Sequence, residues 1–243
     1  MKRIRPTLTA VWEPLKPLSG RDWFLGAGTV ALVIFWQINH RSGFFLHHFA
    51  ALIHDPVIRD LGRFVWYHSL ALLLLGVFPA LMMKCVWKVP LRSLGFGLGN
   101  RKLGLAFLVI ALPIALISVI PSSFDPVFQR EYPLSKLAGY SVGSFVLWEL
   151  IYALYYLGWE PYFRGTLLFG LRGSLGDLGA IFFQTAISCF VHIGKPPGEF
   201  LSSLLAGFVF GAAALRIGSF WWIFVLHWTL GAAMDLACVL QRG

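Results

Sequence analysis

The stretch VGSFVLWELIYALYYLGWEPYFRGTLLFG (Val142–Gly170) decides how the chain is read. It is apolar around its whole circumference, without the 3.6-residue alternation of a half-exposed soluble helix. Yet it carries Glu149, Glu160 and Arg164. Since a membrane span takes roughly 20 apolar residues, this run is long for one perpendicular crossing. It is expected to tilt, protrude or break near Gly158 and Pro161.

Working outward, six further apolar segments stand out: Trp23–Asn39, Phe64–Met83, Leu103–Ile120, Leu178–Ile193, Phe200–Leu215 and Phe220–Leu240. The chain is 58% hydrophobic and only 13% charged, against about 25% charged in soluble domains. The expected fold is therefore all-α: a polytopic integral membrane helical bundle of about seven transmembrane helices. An eighth, short or re-entrant segment around His47–Ile58 is the alternative, and it would reverse everything upstream. The loop Pro121–Tyr140 separates three spans from four, and no internal repeat is visible. A basic cytoplasmic N-terminal segment (1–22) precedes a single transmembrane domain (23–243). The first apolar run lacks a small-residue cleavage pattern, so it is expected to be retained.

A net charge of +9 raises the possibility of nucleic-acid binding, but the positions of the cations argue against it. Lys2, Arg3, Arg5, Lys16 and Arg21 precede the first span, and Lys84, Lys88, Arg92, Arg101 and Lys102 lie between the second and third. With the N-terminus inside, 12 of the 20 Lys and Arg fall on the cytoplasmic side and seven opposite, Arg164 lying within a helix. That bias predicts N-in, C-out. The partner implied is the lipid bilayer, not nucleic acid. Cys85, Cys189 and Cys238 have no paired spacing, so neither a disulfide framework nor a zinc site is expected. His40, His47, His48 and His54 share one loop at a spacing that fits no metal motif.

Intramembrane ionisable groups mark function by default. The first three spans hold almost none, His68 excepted, whereas the last four hold Glu149, Glu160, Arg164, His192, His227 and Asp235. Glu160 and Arg164, four residues apart, share a helix face and can pair. Counted along their helices, Glu160 and His192 each lie roughly 20 Å from the cytoplasmic turn, and His227 about 10 Å. A carboxylate, an arginine and two histidines can thus converge. A Glu–His pair in a dry site can take a proton from water, and a second histidine can donate to an oxyanion. Glu149, about 16 Å from Glu160 along the helix, is expected to be structural or cavity-lining. Lys195 and Glu199 flank a Pro-Pro-Gly turn, where they pair at the rim or position a substrate terminus. Gly158 and Gly165 suit close helix approach.

Trp159-Glu-Pro-Tyr-Phe-Arg-Gly165, His192-Ile-Gly-Lys-Pro-Pro-Gly-Glu199 and His227 follow in the order and spacing of the CPBP family, which the chain resembles over residues 142–236. A weaker echo lies in Leu94–Asn100. These are the CAAX prenyl endopeptidases and their bacterial relatives, sometimes called Abi proteins, a class of glutamate-dependent intramembrane proteases. The resemblance implies a catalytic core in 142–240 and catalytic roles for Glu160, Arg164, His192 and His227, without a cofactor or metal. The depth of Glu160 and His192, nearer the external end, points to a membrane-anchored or exported protein substrate. Three positions depart from the pattern: Trp159 replaces a first glutamate, Ser188 a phenylalanine and Gly231 an asparagine. Asp235, one turn beyond Gly231, is a candidate substitute, with Lys195 and Glu199 as supporting residues. The implied mechanism has Glu160 and His192 activate water while His227 stabilises the oxyanion. The alternative is a non-catalytic scaffold or regulator that binds a partner protein through the same cavity. A bacterial plasma membrane is the expected location.

Overall fold

The computed structural model describes residues 19–41 and 43–242. The cations at 2, 3, 5 and 16 lie outside the described residues. The described chain is helical with no strand. We number its helices α1 (20–41), α2 (Phe44–Phe49), α3 (Pro56–Val86), α4 (Arg101–Ser123), α5 (Pro126–Glu131), α6 (142–175), α7 (177–191), α8 (Pro197–Ile217) and α9 (Trp221–Arg242).

Local sequence sets where these helices start. Ser19 and Asp22 form a capping box for α1, Asp55 accepts from Val57 and Ile58 ahead of α3, Asn100 caps α4 and Ser141 caps α6. Each supplies a side-chain oxygen to backbone N–H groups that have no partner inside the helix. On α4, Leu105, Val109, Ile110, Ile114, Ile117 and Ile120 all point outward and are exposed. Such a stripe would be a liability in water; against lipid tails it costs nothing.

Five segments are long and apolar enough to cross a membrane: α3, α4, the stretch Val142–Val191, α8 and α9. The protein is thus an integral membrane protein. The 50-residue stretch is itself two legs, because Gly176 leaves helical geometry (φ 70°, ψ 170°). Arg172 and Asp177 pair across that turn at 3.0 Å. Trp159, 17 residues before the turn, and His192, 16 after it, have ring centroids 5.8 Å apart. A straight helix would hold them roughly 50 Å apart. The chain therefore doubles back here, and the expected span Leu178–Ile193 is the return leg.

One of the expected alternatives is excluded. The long run does not break near Gly158 and Pro161: the helix continues and loosens into a π turn over Pro161–Leu167, so that the break falls at Gly176. Proline lacks an N–H and crowds the preceding turn, which the wider π turn accommodates. The count of seven is not established, since α1 covers the first expected span but is not among the five apolar segments. Gln37 and Asn39 dilute its apolar run. The stretch His47–Ile58 holds the end of α2, a 3₁₀ turn (Ala50–Leu52) and the start of α3. Six residues of α2 extend only about 9 Å, too short to cross.

Helix α6 is central, packing on α3 and α9, while α9 also packs on α4 and α7 on α8. The α3–α6 crossing is close because Gly158 has no side chain: a Cβ there would lie 2.4 Å from the Ala71 carbonyl oxygen. Small residues at crossings supply the packing that drives helix association in lipid. Around this crossing Trp36, Trp159, Phe163 and Leu167 are fully buried. Gly158→Ala is expected to lower stability by about 1–3 kcal/mol through forced separation of the helices. Thermal unfolding in detergent checks this, with Gly173→Ala, which meets nothing within 4 Å, expected to leave the midpoint unchanged.

Candidate active site

The π turn that starts at Pro161 follows directly on Glu160 and carries Arg164. Glu160 has no exposed surface and Arg164 is almost as deeply buried. Arg164 Nη1 donates to Glu160 Oε1 at 3.3 Å, and His227 Nδ1 lies 2.6 Å from the same oxygen. Glu160 Oε2 has no hydrogen-bond partner among the described residues. The Arg164 guanidinium also lies over the Phe210 ring, 5.5 Å from its centroid. A buried carboxylate is tolerated only when paired; here one oxygen takes both a cation and an imidazole.

His227 reaches Glu160 although counting residues along each helix puts the two about 10 Å apart in depth. The two helix ends are not level. Helix α9 starts where Trp221 and Trp222 donate to the carbonyls of Phe96 and Leu98, 2.9 Å each. The α6–α7 turn at Gly176 therefore projects further than the start of α9.

His192 sits just past the end of α7, with Nδ1 2.7 Å from the Ser188 carbonyl. A carbonyl only accepts, so Nδ1 carries the hydrogen and Nε2 is the acceptor of the neutral ring. By the same reasoning His227 presents an Nδ1 hydrogen to the Glu160 carboxylate. The structure shows no bond between His192 and Glu160; instead the His192 ring meets the edge of Trp159.

Both histidines line a cavity of about 540 Å³ and a neighbouring one of about 240 Å³. The two share Tyr132, Tyr152, Tyr156, His192, Glu199 and His227, and so form two lobes meeting at the histidines. Glu160 lines neither; His227 stands between it and the cavity. The larger lobe runs towards α2 and Trp66, the smaller between α4, α8 and α9.

Lys195 and Glu199 do not pair with each other. Lys195 Nζ reaches Glu131 at 2.7 Å and the Tyr132 hydroxyl at 3.3 Å, and that hydroxyl donates to Glu199 at 2.8 Å. Burial, followed by the adjacent Glu199 carboxylate, pushes the Tyr132 phenol up, which keeps it protonated as a donor. Sequence reasoning missed Glu131 and Tyr132, since Pro121–Tyr140 reads as a separator and not as a wall of the cavity. It also missed Tyr152 and Tyr156, whose four-residue steps to Glu160 were the available signal.

Asp235 lies elsewhere. It is fully buried and accepts from Trp148 Nε1 at 2.6 Å, two turns along α9 from His227. Glu149 is likewise buried. His68 Nδ1 meets the Ile151 carbonyl at 3.1 Å, a tie between α3 and α6. Among the described residues no group of histidine, cysteine or carboxylate side chains forms a metal site.

Removing one member of the buried pair strands the other. Arg164→Met is expected to cost about 3–5 kcal/mol, and Glu160→Gln combined with Arg164→Met to recover much of that loss. Unfolding midpoints of the single and double variants measure it.

Residues 141–233 match the family model described as Type II CAAX prenyl endopeptidase Rce1-like. Neither the curated proteins nor the solved structures gave a match. The matched stretch contains Glu160, Arg164, His192, Lys195, Glu199 and His227, and ends before Asp235. Over these residues the chain is similar to that family of proteases.

Proposed function

We propose that the protein is an intramembrane endopeptidase that cleaves a membrane-anchored or exported protein by attack of an activated water. The observation that carries this reading is the 2.6 Å contact between the buried Glu160 carboxylate and His227 Nδ1, at the wall of a cavity that His192 also lines. Glu160 orients the imidazole and stabilises its protonated form. The Nε2 atoms of His227 and His192 are two acceptors for the hydrogens of one water. As the water oxygen bonds to the peptide carbonyl carbon, His227 Nε2 takes one proton and the carbonyl oxygen becomes an oxyanion. The protonated His227 then delivers that proton to the amide nitrogen, the C–N bond breaks, and a carboxylic acid and an amine leave.

This division of labour differs from the one implied by family resemblance, in which Glu160 and His192 activate the water and His227 meets the oxyanion. The burial of Glu160 behind His227 favours His227 as the group that handles the proton. Arg164 holds the carboxylate in place, and Asp235 has no part in the chemistry. The loop-side position of Lys195, Glu131 and Tyr132, with the N-in orientation, favours substrates cut near the outer face of a bacterial plasma membrane.

Membrane and secreted proteins are to be compared between cells carrying wild type, Glu160→Gln and His227→Ala. A precursor is expected to accumulate in both variants, its processing slowed at least about 10²-fold, in line with the worth of a positioned acid–base group. Wild-type processing in both variants would exclude the protease reading. If deletion of the whole protein then still had a phenotype, a scaffold that binds a partner through the cavity would replace it.

A further inference from the structure

Peptide hydrolysis by the two histidines leaves one requirement unmet: a donor for the oxyanion. The charged groups nearby are committed. Arg164 is turned to Glu160, and Lys195 is tied to Glu131 and Tyr132. On α6, Tyr152 and Tyr156 precede Glu160 at four-residue steps, so all three lie on one face. Tyr156 is buried, and its ring packs edge-on against the His227 imidazole with centroids 4.8 Å apart. It lines both lobes of the cavity where they meet.

The position of its hydroxyl is fixed by what α9 lacks. Gly231 lies one turn beyond His227, and a Cβ built there would be 2.3 Å from Tyr156 Oη and 3.2 Å from its Cζ. No side chain at 231 is compatible with the phenol as placed. The glycine therefore admits a hydroxyl from α6 into the space beside His227 that a side chain of α9 would otherwise fill. The Tyr156 ring also packs with Trp148 and Tyr152. Packing alone asks for a ring at 156; it does not ask for an oxygen seated over a glycine at the junction of two cavity lobes.

We propose that Tyr156 is a catalytic residue whose hydroxyl donates to the oxyanion of the tetrahedral intermediate, and that Gly231 is the gap that seats it. A neutral phenol suits this position, because it adds no charge that would compete with Arg164 for Glu160. A donor placed before the reaction starts is worth more in a water-poor site than in water. The proposal rests on the protease reading, and its test separates the two.

The probe is the precursor that accumulates with Glu160→Gln, followed by pulse-chase and normalised to folded protein. Tyr156→Phe removes one oxygen and keeps the ring; it is expected to slow processing about 10²-fold, the usual effect of losing one such donor. Gly231→Ala, which displaces the hydroxyl, is expected to slow it similarly. The double variant should be no slower than Tyr156→Phe alone, because both changes remove the same donor. Processing by Tyr156→Phe within twofold of wild type, or independent losses that multiply in the double variant, would overturn the assignment while leaving the protease reading intact. If no precursor accumulates with Glu160→Gln, the protease reading fails and this proposal with it.

Discussion

Burial of the Glu160 carboxylate is the constraint on which the rest of the site depends. A carboxylate taken out of water costs several kcal/mol unless other charges and hydrogen bonds replace its hydration. Arg164 does so from one turn along the same helix, and His227 does so from α9. The first contact follows from local spacing. The second fixes how far α9 slides along α6 and which nitrogen of His227 faces inward. One carboxylate thereby sets both the register of two helices and the tautomer of the imidazole that faces the cavity.

Around this contact the fold leaves little freedom. The α6–α7 hairpin, with nearly equal legs about Gly176, brings Trp159 and His192 to one level. Trp159 is almost fully buried among Trp36, Tyr155 and Phe163 and so acts as a wall that positions His192. Gly158 lets that wall approach α3 closely. Above the histidines, the chain Glu131–Lys195–Tyr132–Glu199 links the segment after α4 to the start of α8.

What could be read in the sequence was whatever lies within one helix or within one tight turn. The Glu160–Arg164 pair needs only four-residue spacing, and the reversal after Arg172 needs only a short polar turn between two apolar runs. Contacts between helices were harder, because they depend on tilt and on how far each helix end projects. Depth by residue count allowed Glu160, Arg164 and the histidines to converge but did not specify that His227 meets Glu160 directly. Lys195 and Glu199 flank one turn and invite pairing, but the competing partners Glu131 and Tyr132 come from a distant segment. Asp235 looks adjacent to His227 in sequence, yet two turns of helix carry it to Trp148. Gly231 reads as a missing side chain until the Tyr156 hydroxyl is seen against it.

The most direct test of the Glu160–His227 contact is nitrogen-15 NMR of the histidine rings in the detergent-solubilised protein near neutral pH, with His227 assigned by loss of its signals in His227→Gln. The proposed role of His227 predicts a neutral ring with its hydrogen on Nδ1, facing Glu160, and a bare Nε2. A His227 that carries its hydrogen on Nε2 would contradict it.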